Sequence, residues 1–167
     1  HDPHSGTYEK MTAKQGAALC YECHKSEEKR FQEGKAHNPV AKGACTACHD
    51  PHASDNPAQA KLAGNALCSQ CHSAETAGFR KSHQGHAVKT AQCVSCHDPH
   101  SSTNKALLKR NLHPPFAKGQ CAMCHQTPGP DGAVALKGKG ASLCFSCHDR
   151  KMLSDLKLQH SPAKEGN

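Results

Sequence analysis

The sequence has no tryptophan, two tyrosines and four phenylalanines in 167 residues, and its mean hydropathy is −0.75. A chain so poor in large apolar side chains cannot bury enough of them to offset the entropy of ordering its backbone. It needs some other material for a core. No apolar run approaches the length of a membrane-spanning helix. No stretch alternates as a half-buried strand does, so little or no β structure is expected. No secretory leader is present. No cysteine is left over either, because all twelve fall into pairs spaced Cys-x-x-Cys.

Every pair is followed at once by histidine. The six motifs are Cys20, Cys23, His24; Cys45, Cys48, His49; Cys68, Cys71, His72; Cys93, Cys96, His97; Cys121, Cys124, His125; and Cys144, Cys147, His148. This is the pattern for covalent attachment of haem c: two thiols add to the porphyrin vinyl groups, and the adjoining imidazole faces the iron as proximal ligand. Six Cys-x-x-Cys pairs could instead make three four-cysteine zinc sites or a disulfide framework. Neither has a use for the adjoining histidine. With 15 histidines in 167 residues, six such placements by chance have a probability on the order of 10⁻⁶ or less. Six covalently attached haems are therefore expected.

Six haems in 167 residues leave about 28 residues for each, so the macrocycles would form most of the core. The chain without haem should be largely unfolded, as small metal-dependent domains are. The formal charge of +7 falls to roughly −5 once two propionates per haem are counted, which removes the case for a nucleic-acid partner. Haem is attached to such motifs outside the cytoplasm, so an exported chain is expected, periplasmic, extracellular or at the outer membrane, with its leader outside this sequence.

The first cysteines fall at 20, 45, 68, 93, 121 and 144, an internal repeat. Motifs at 20, 68 and 144 follow Ala-Leu or Ser-Leu, and we term them Leu-type. Those at 45, 93 and 121 follow a basic stretch and a small or polar residue, and we term them Gly-type. The stretch from His37 to Gly43 matches His113 to Gly119 position by position, with His86 in the looser middle copy, better aligned than His83, and His160 beginning a fourth. His49-Asp50-Pro51-His52 recurs as His97-Asp98-Pro99-His100 and as His1-Asp2-Pro3-His4. His1 therefore occupies the place of a proximal histidine whose cysteines are absent. One domain over 1–167 is expected, built of pseudo-repeats at about 1–48, 49–96 and 97–167.

The spacing predicts short helices at 26–34, 73–82 and 149–159, with Phe31, Phe79, Leu153 and Leu156 toward haem and Gly34 ending the first. Residues 128–132 read as a turn or loop. Met123 and Met152 are too close to their own motifs to reach the far face of the iron. Histidine is then the expected second axial ligand throughout, from His4, His37, His52, His86, His100, His113 and His160. His52 and His100 lie three residues from a proximal histidine and must each reach a different haem. Two schemes fit the register. In the first, His37, His86 and His160 serve the haems on Cys20, Cys68 and Cys144, His4, His52 and His100 serve those on Cys45, Cys93 and Cys121, and His113 is spare. In the second, His4 and His52 serve Cys20 and Cys68, His37, His86 and His113 serve Cys45, Cys93 and Cys121, His160 serves Cys144, and His100 is spare. The first is regular at all six sites.

The phrase Leu-Cys-x-x-Cys-His, Phe, His-x-Pro-Val-x-x-Gly, Cys-x-x-Cys-His-x-Pro-His resembles the unit of the doubled-CxxCH multihaem cytochromes c, and it covers nearly the whole chain. The chain is similar to the decahaem conduit cytochromes of outer-membrane porins, to the pentahaem donors of nitrite reductase and to extracellular cytochrome filament subunits. The resemblance implies a mostly coil fold with short α-helices around a stacked chain of haems, and electron transfer in place of substrate turnover. It implies as partners other redox proteins, copies of the chain in a head-to-tail filament, or an outer-membrane porin. The alternative is a multihaem reductase of the nitrite or hydroxylamine type, which needs an open iron position with acid or base groups beside it. The histidine supply exceeds what six irons need, which favours the carrier.

Overall fold

The computed structural model describes residues 1–2, 4–84, 91–127 and 135–151. Its helices are α1 (Ala17–Tyr21), α2 (Lys25–Gln32), α3 (Asn38–Ala41), α4 (Asn65–Ser69), α5 (Ala77–Ser82), α6 (Cys93–Cys96), α7 (Pro114–Ala117) and α8 (Ala141–Cys144), and its strands are β1 (Lys35–Ala36) and β2 (Ser101–Ser102). Everything else described is single 3₁₀ turns and coil. The architecture is that of a mostly coil chain with short helices.

Among the described residues no hydrophobic side chain is buried, and only Ser101 and Ser102 are fully enclosed, at 1% exposure each. Tyr8, Met11, Val94, Phe116, Met123 and Leu136 are all at least 40% exposed. The polypeptide carries no core of its own among these residues, as its composition requires. No described helix is long and apolar enough to cross a membrane.

The chain divides into two compact units. The first comprises His1–Thr76 and Val88–Leu112, and the second Ala77–Ala87 and His113–Asn167. In the first, α2 has Glu27 and Glu28 in its first turn and Lys29 and Arg30 in its last, the order that suits the helix dipole. It stops two residues before Gly34, whose φ of 114° only glycine adopts readily. A Cβ there would lie 2.6 Å from the Ser102 carbonyl, so glycine also lets β1 meet β2. The two strands pair antiparallel, Lys35 with Ser102 and Ala36 with Ser101. This ladder is too short to leave an alternating signal in the sequence. Around it Arg30 pairs with Asp98 at 3.1 Å, Ser101 Oγ donates to the Arg30 carbonyl at 3.2 Å, and Arg110 meets Glu33 at 2.9 Å. Segment 98–110 thereby lies along segment 27–37.

The predicted helix at 26–34 is found at 25–32. The one predicted at 73–82 begins only at Ala77, because Ser73 takes Glu75 N and Thr76 Oγ1 into a local turn. The loop predicted at 128–132 lies outside the described residues, as does the helix predicted at 149–159 apart from residues 149–151. In the second unit α7 copies α3 of the first. His37 and His113 cap these helices at φ, ψ of −59°, 141° and −60°, 131°, and Gly43 and Gly119 leave them at φ of 69° and 66°.

Candidate haem-binding site

All six motifs fold into one turn. The amide of each motif histidine donates to the carbonyl of the first cysteine, at 2.9 to 3.1 Å. One helical turn brings both thiols and the imidazole to neighbouring positions on one short rod. The Leu-type rods are α1, α4 and α8, and each enters through a glycine: Gly16, Gly64 and Gly140 sit at φ near 50° with ψ between −131° and −144°. That region belongs to glycine almost alone. No cysteine is bonded to another, and among the described residues no three or more His, Cys, Asp or Glu side chains gather as a metal-ion site.

In the first unit, the Leu-type motifs at Cys20 and Cys68 each lie beside the Gly-type motif that follows. Asn65 at the start of α4 accepts from Cys93 N at 2.9 Å and donates to the Ala91 carbonyl at 2.7 Å, latching a Leu-type rod to the next Gly-type motif. Burial, together with the Cys45 thiol beside it, raises the pKa of Cys20, and burial with the Cys93 thiol does the same for Cys68. Macrocycles attached at these thiols would start from adjoining anchor points.

The Gly-type proximal histidines are clamped. His49 Nδ1 lies 2.9 Å from the Ala58 carbonyl and His97 Nδ1 2.9 Å from the Ala106 carbonyl. A carbonyl only accepts, so Nδ1 carries the proton and Nε2 presents its lone pair. The next carbonyl takes the next amide: Asp50 N to Gln59 O at 2.9 Å and Asp98 N to Leu107 O at 2.8 Å. Both carbonyls project from a left-handed pair, Ala58 and Gln59 at φ of 54° and 53°, Ala106 and Leu107 at 56° and 57°. Each such residue costs about 1 kcal/mol. His125 keeps the same frame, with Gln126 N on Ala135 O at 2.9 Å.

The histidines form matched pairs. His37 faces His72, His49 faces His100 and His113 faces His148, each with ring centres 5.9 Å apart, and His1 faces His52 at 6.0 Å. Rings that simply touch in this chain are closer, Phe31 to His100 at 4.9 Å and Phe79 to His83 at 4.1 Å. Two imidazoles holding one metal from opposite sides, with nitrogens about 2 Å from it, have ring centres roughly 6 Å apart. The pairs fit an iron between them. A cavity of about 420 Å³ beside the Cys20 and Cys45 motifs is lined by Tyr21, Phe31, Ala36 and Val40 together with the polar Glu28 and Gln32. Burial lowers the pKa of His100, against the pull of Asp98, which keeps it the neutral imidazole a metal requires.

The pairing follows neither scheme drawn from the sequence. His37 stands opposite His72, and His113 opposite His148. His100 meets His49, and His52 meets His1. His4 and His24 meet no second ring among the described residues. His83, just past α5, turns Nδ1 to the Phe79 carbonyl of that helix at 2.9 Å. His86 and His160 lie outside the described residues. Sequence reasoning missed the clamping carbonyls, the Asn65 latch and the entry glycines. Only the last two left a readable signal, a glycine four residues before each Leu-type cysteine and an asparagine following the second of these glycines.

Thiol pairs with an adjoining histidine, repeated in a chain with no apolar core among its described residues, define a multihaem c-type cytochrome, whose haem c is covalently attached and whose work is electron transfer. The doubled CXXCH motif matches residues 1–29, 37–77, 86–112 and 113–153, most of the sequence, and the chain belongs to that family. No curated protein matches it.

Proposed function

We propose that the chain is an exported relay of six haems, one per motif, that carries electrons between redox proteins or further copies of itself at the outer membrane or beyond it. What supports the count is the common turn of the six motifs. What supports a carrier over a reductase is the supply of second histidines. His100 is the far ligand of the Cys45 haem, His37 of the Cys68 haem and His113 of the Cys144 haem, and an iron with two imidazoles has no open position for substrate. Bound haem supplies the one-electron iron couple. The protein's part is to fix two imidazoles per iron, hold the proton on the outer ring nitrogen through the clamping carbonyls, and anchor neighbouring macrocycles close together. The imidazole pairs with ring centres 5.9 Å apart are the observation that carries this reading.

The test is electron paramagnetic resonance of the oxidised protein and of three variants. His37→Ala, His100→Ala and His113→Ala should each turn one haem high-spin, and mapping by nuclear magnetic resonance should place the change on Cys68, Cys45 and Cys144 respectively. A high-spin haem at Cys20 in His37→Ala would restore the sequence-based scheme and sink this one.

A further inference from the structure

His1 belongs to none of the six motifs, yet it is held as the Gly-type proximal histidines are. Its Nδ1 lies 3.0 Å from the Lys10 carbonyl, at the same nine-residue offset as His49 to Ala58 and His97 to Ala106. Asp2 N donates to the Met11 carbonyl at 2.7 Å. Lys10 and Met11 form the same left-handed pair, at φ of 60° and 53°. A solvated surface histidine needs no such turn, and neither strained residue is glycine. The clamp fixes the proton on Nδ1 and bares Nε2.

Opposite it stands His52, with ring centres 6.0 Å apart and planes 16° from parallel, against 5.9 Å and 12° for His49 and His100. The far ring is set the same way in both pairs. His52 N and His100 N each donate to the preceding Asp Oδ1 at 2.9 Å, and each Nδ1 lies 3.7 Å from that oxygen. The His52 side chain is 77% exposed where His100 is 31% exposed, so this gap opens to solvent.

We propose that His1 and His52 are the two axial ligands of a seventh haem iron, one whose porphyrin has no cysteine among the twelve of this sequence. The inference rests on reading the matched imidazole pairs as iron ligands. The ligand chemistry is a haem iron, supplied as free haem or as the covalently attached haem of another polypeptide segment, including one on a second copy of this chain.

The chain carrying its six covalent haems is titrated with hemin. One further equivalent should bind and change from high-spin to low-spin. His52→Ala and His1→Ala should each abolish that conversion while the six covalent haems stay low-spin. Where the natural source is a second copy, the untreated protein should associate, and His52→Ala should disperse it. Where it is free haem, the monomer should take up hemin one to one. The proposal falls if hemin gives no low-spin species and His52→Ala leaves association unchanged. It falls equally if His52→Ala turns one of the covalent haems high-spin, since His52 would then serve a motif haem. Neither failure touches the relay itself, which stands or falls with the variants at His37, His100 and His113.

Discussion

His49 and His97 are half-buried and donate to main-chain carbonyls, whereas His24, His72 and His148 are exposed and make no such bond among the described residues. The two kinds of motif share a turn and differ in everything around it. At the Gly-type sites, non-glycine residues are forced left-handed so that two successive carbonyls close on the histidine and its neighbour. At the Leu-type sites, the unusual conformation is in the entry glycine and costs little. A hydrogen bond to the outer nitrogen makes an imidazole a more basic ligand and favours the oxidised iron. One repeat unit thus offers two electronic settings, a clamped one and a solvated one.

The largest effect should come from removing the distinction altogether. Expressed without haem attachment, the chain should show no cooperative thermal transition by circular dichroism, because no hydrophobic side chain is buried among the described residues. A sharp transition in the apo chain would mean that the polypeptide holds the two kinds of site apart unaided.

Next comes breaking one clamp. Ala58→Pro cannot keep φ at 54°. It should cost about 3 kcal/mol and raise the midpoint potential of the Cys45 haem, leaving the Leu-type haems where they were. Spectroelectrochemistry of wild type and variant decides this. An unmoved Cys45 potential would show that the carbonyl tunes nothing.

The smallest effects are mirror images. Gly64→Ala places a side chain where φ is 50° and ψ is −131°, and should destabilise by about 1–3 kcal/mol. Ala58→Gly removes left-handed strain at the other kind of site and should stabilise by about 1 kcal/mol or less. Denaturant titration of the holoprotein measures both. Equal signs would erase the contrast between the motifs.

The motifs, the two classes and the copying of 37–43 in 113–119 were legible in the sequence, because each rests on local chemistry: a thiol spacing, a proline in the first turn, a glycine after the last. The end of α2 was legible for the same reason. The pairing of histidines was not. His100 reaches His49 through the ladder of β1 on β2, the Arg30–Asp98 bridge and the contact with Phe31, none of which announces itself in composition or period. The left-handed pairs at Lys10, Ala58 and Ala106 were invisible because lysine and alanine carry no preference for that conformation.

The direction of the pairs bears on how the protein is made. A chain emerges from synthesis N-terminus first. With these pairs as axial ligands, His72 and His148 find their partners, His37 and His113, already delivered, so the Leu-type irons can close at once. His49 must wait for His100, about one pseudo-repeat later. In that reading, His49 would hold the Cys45 haem alone until the segment carrying His100 folds back onto it. The order of closure is written in which member of each pair comes first.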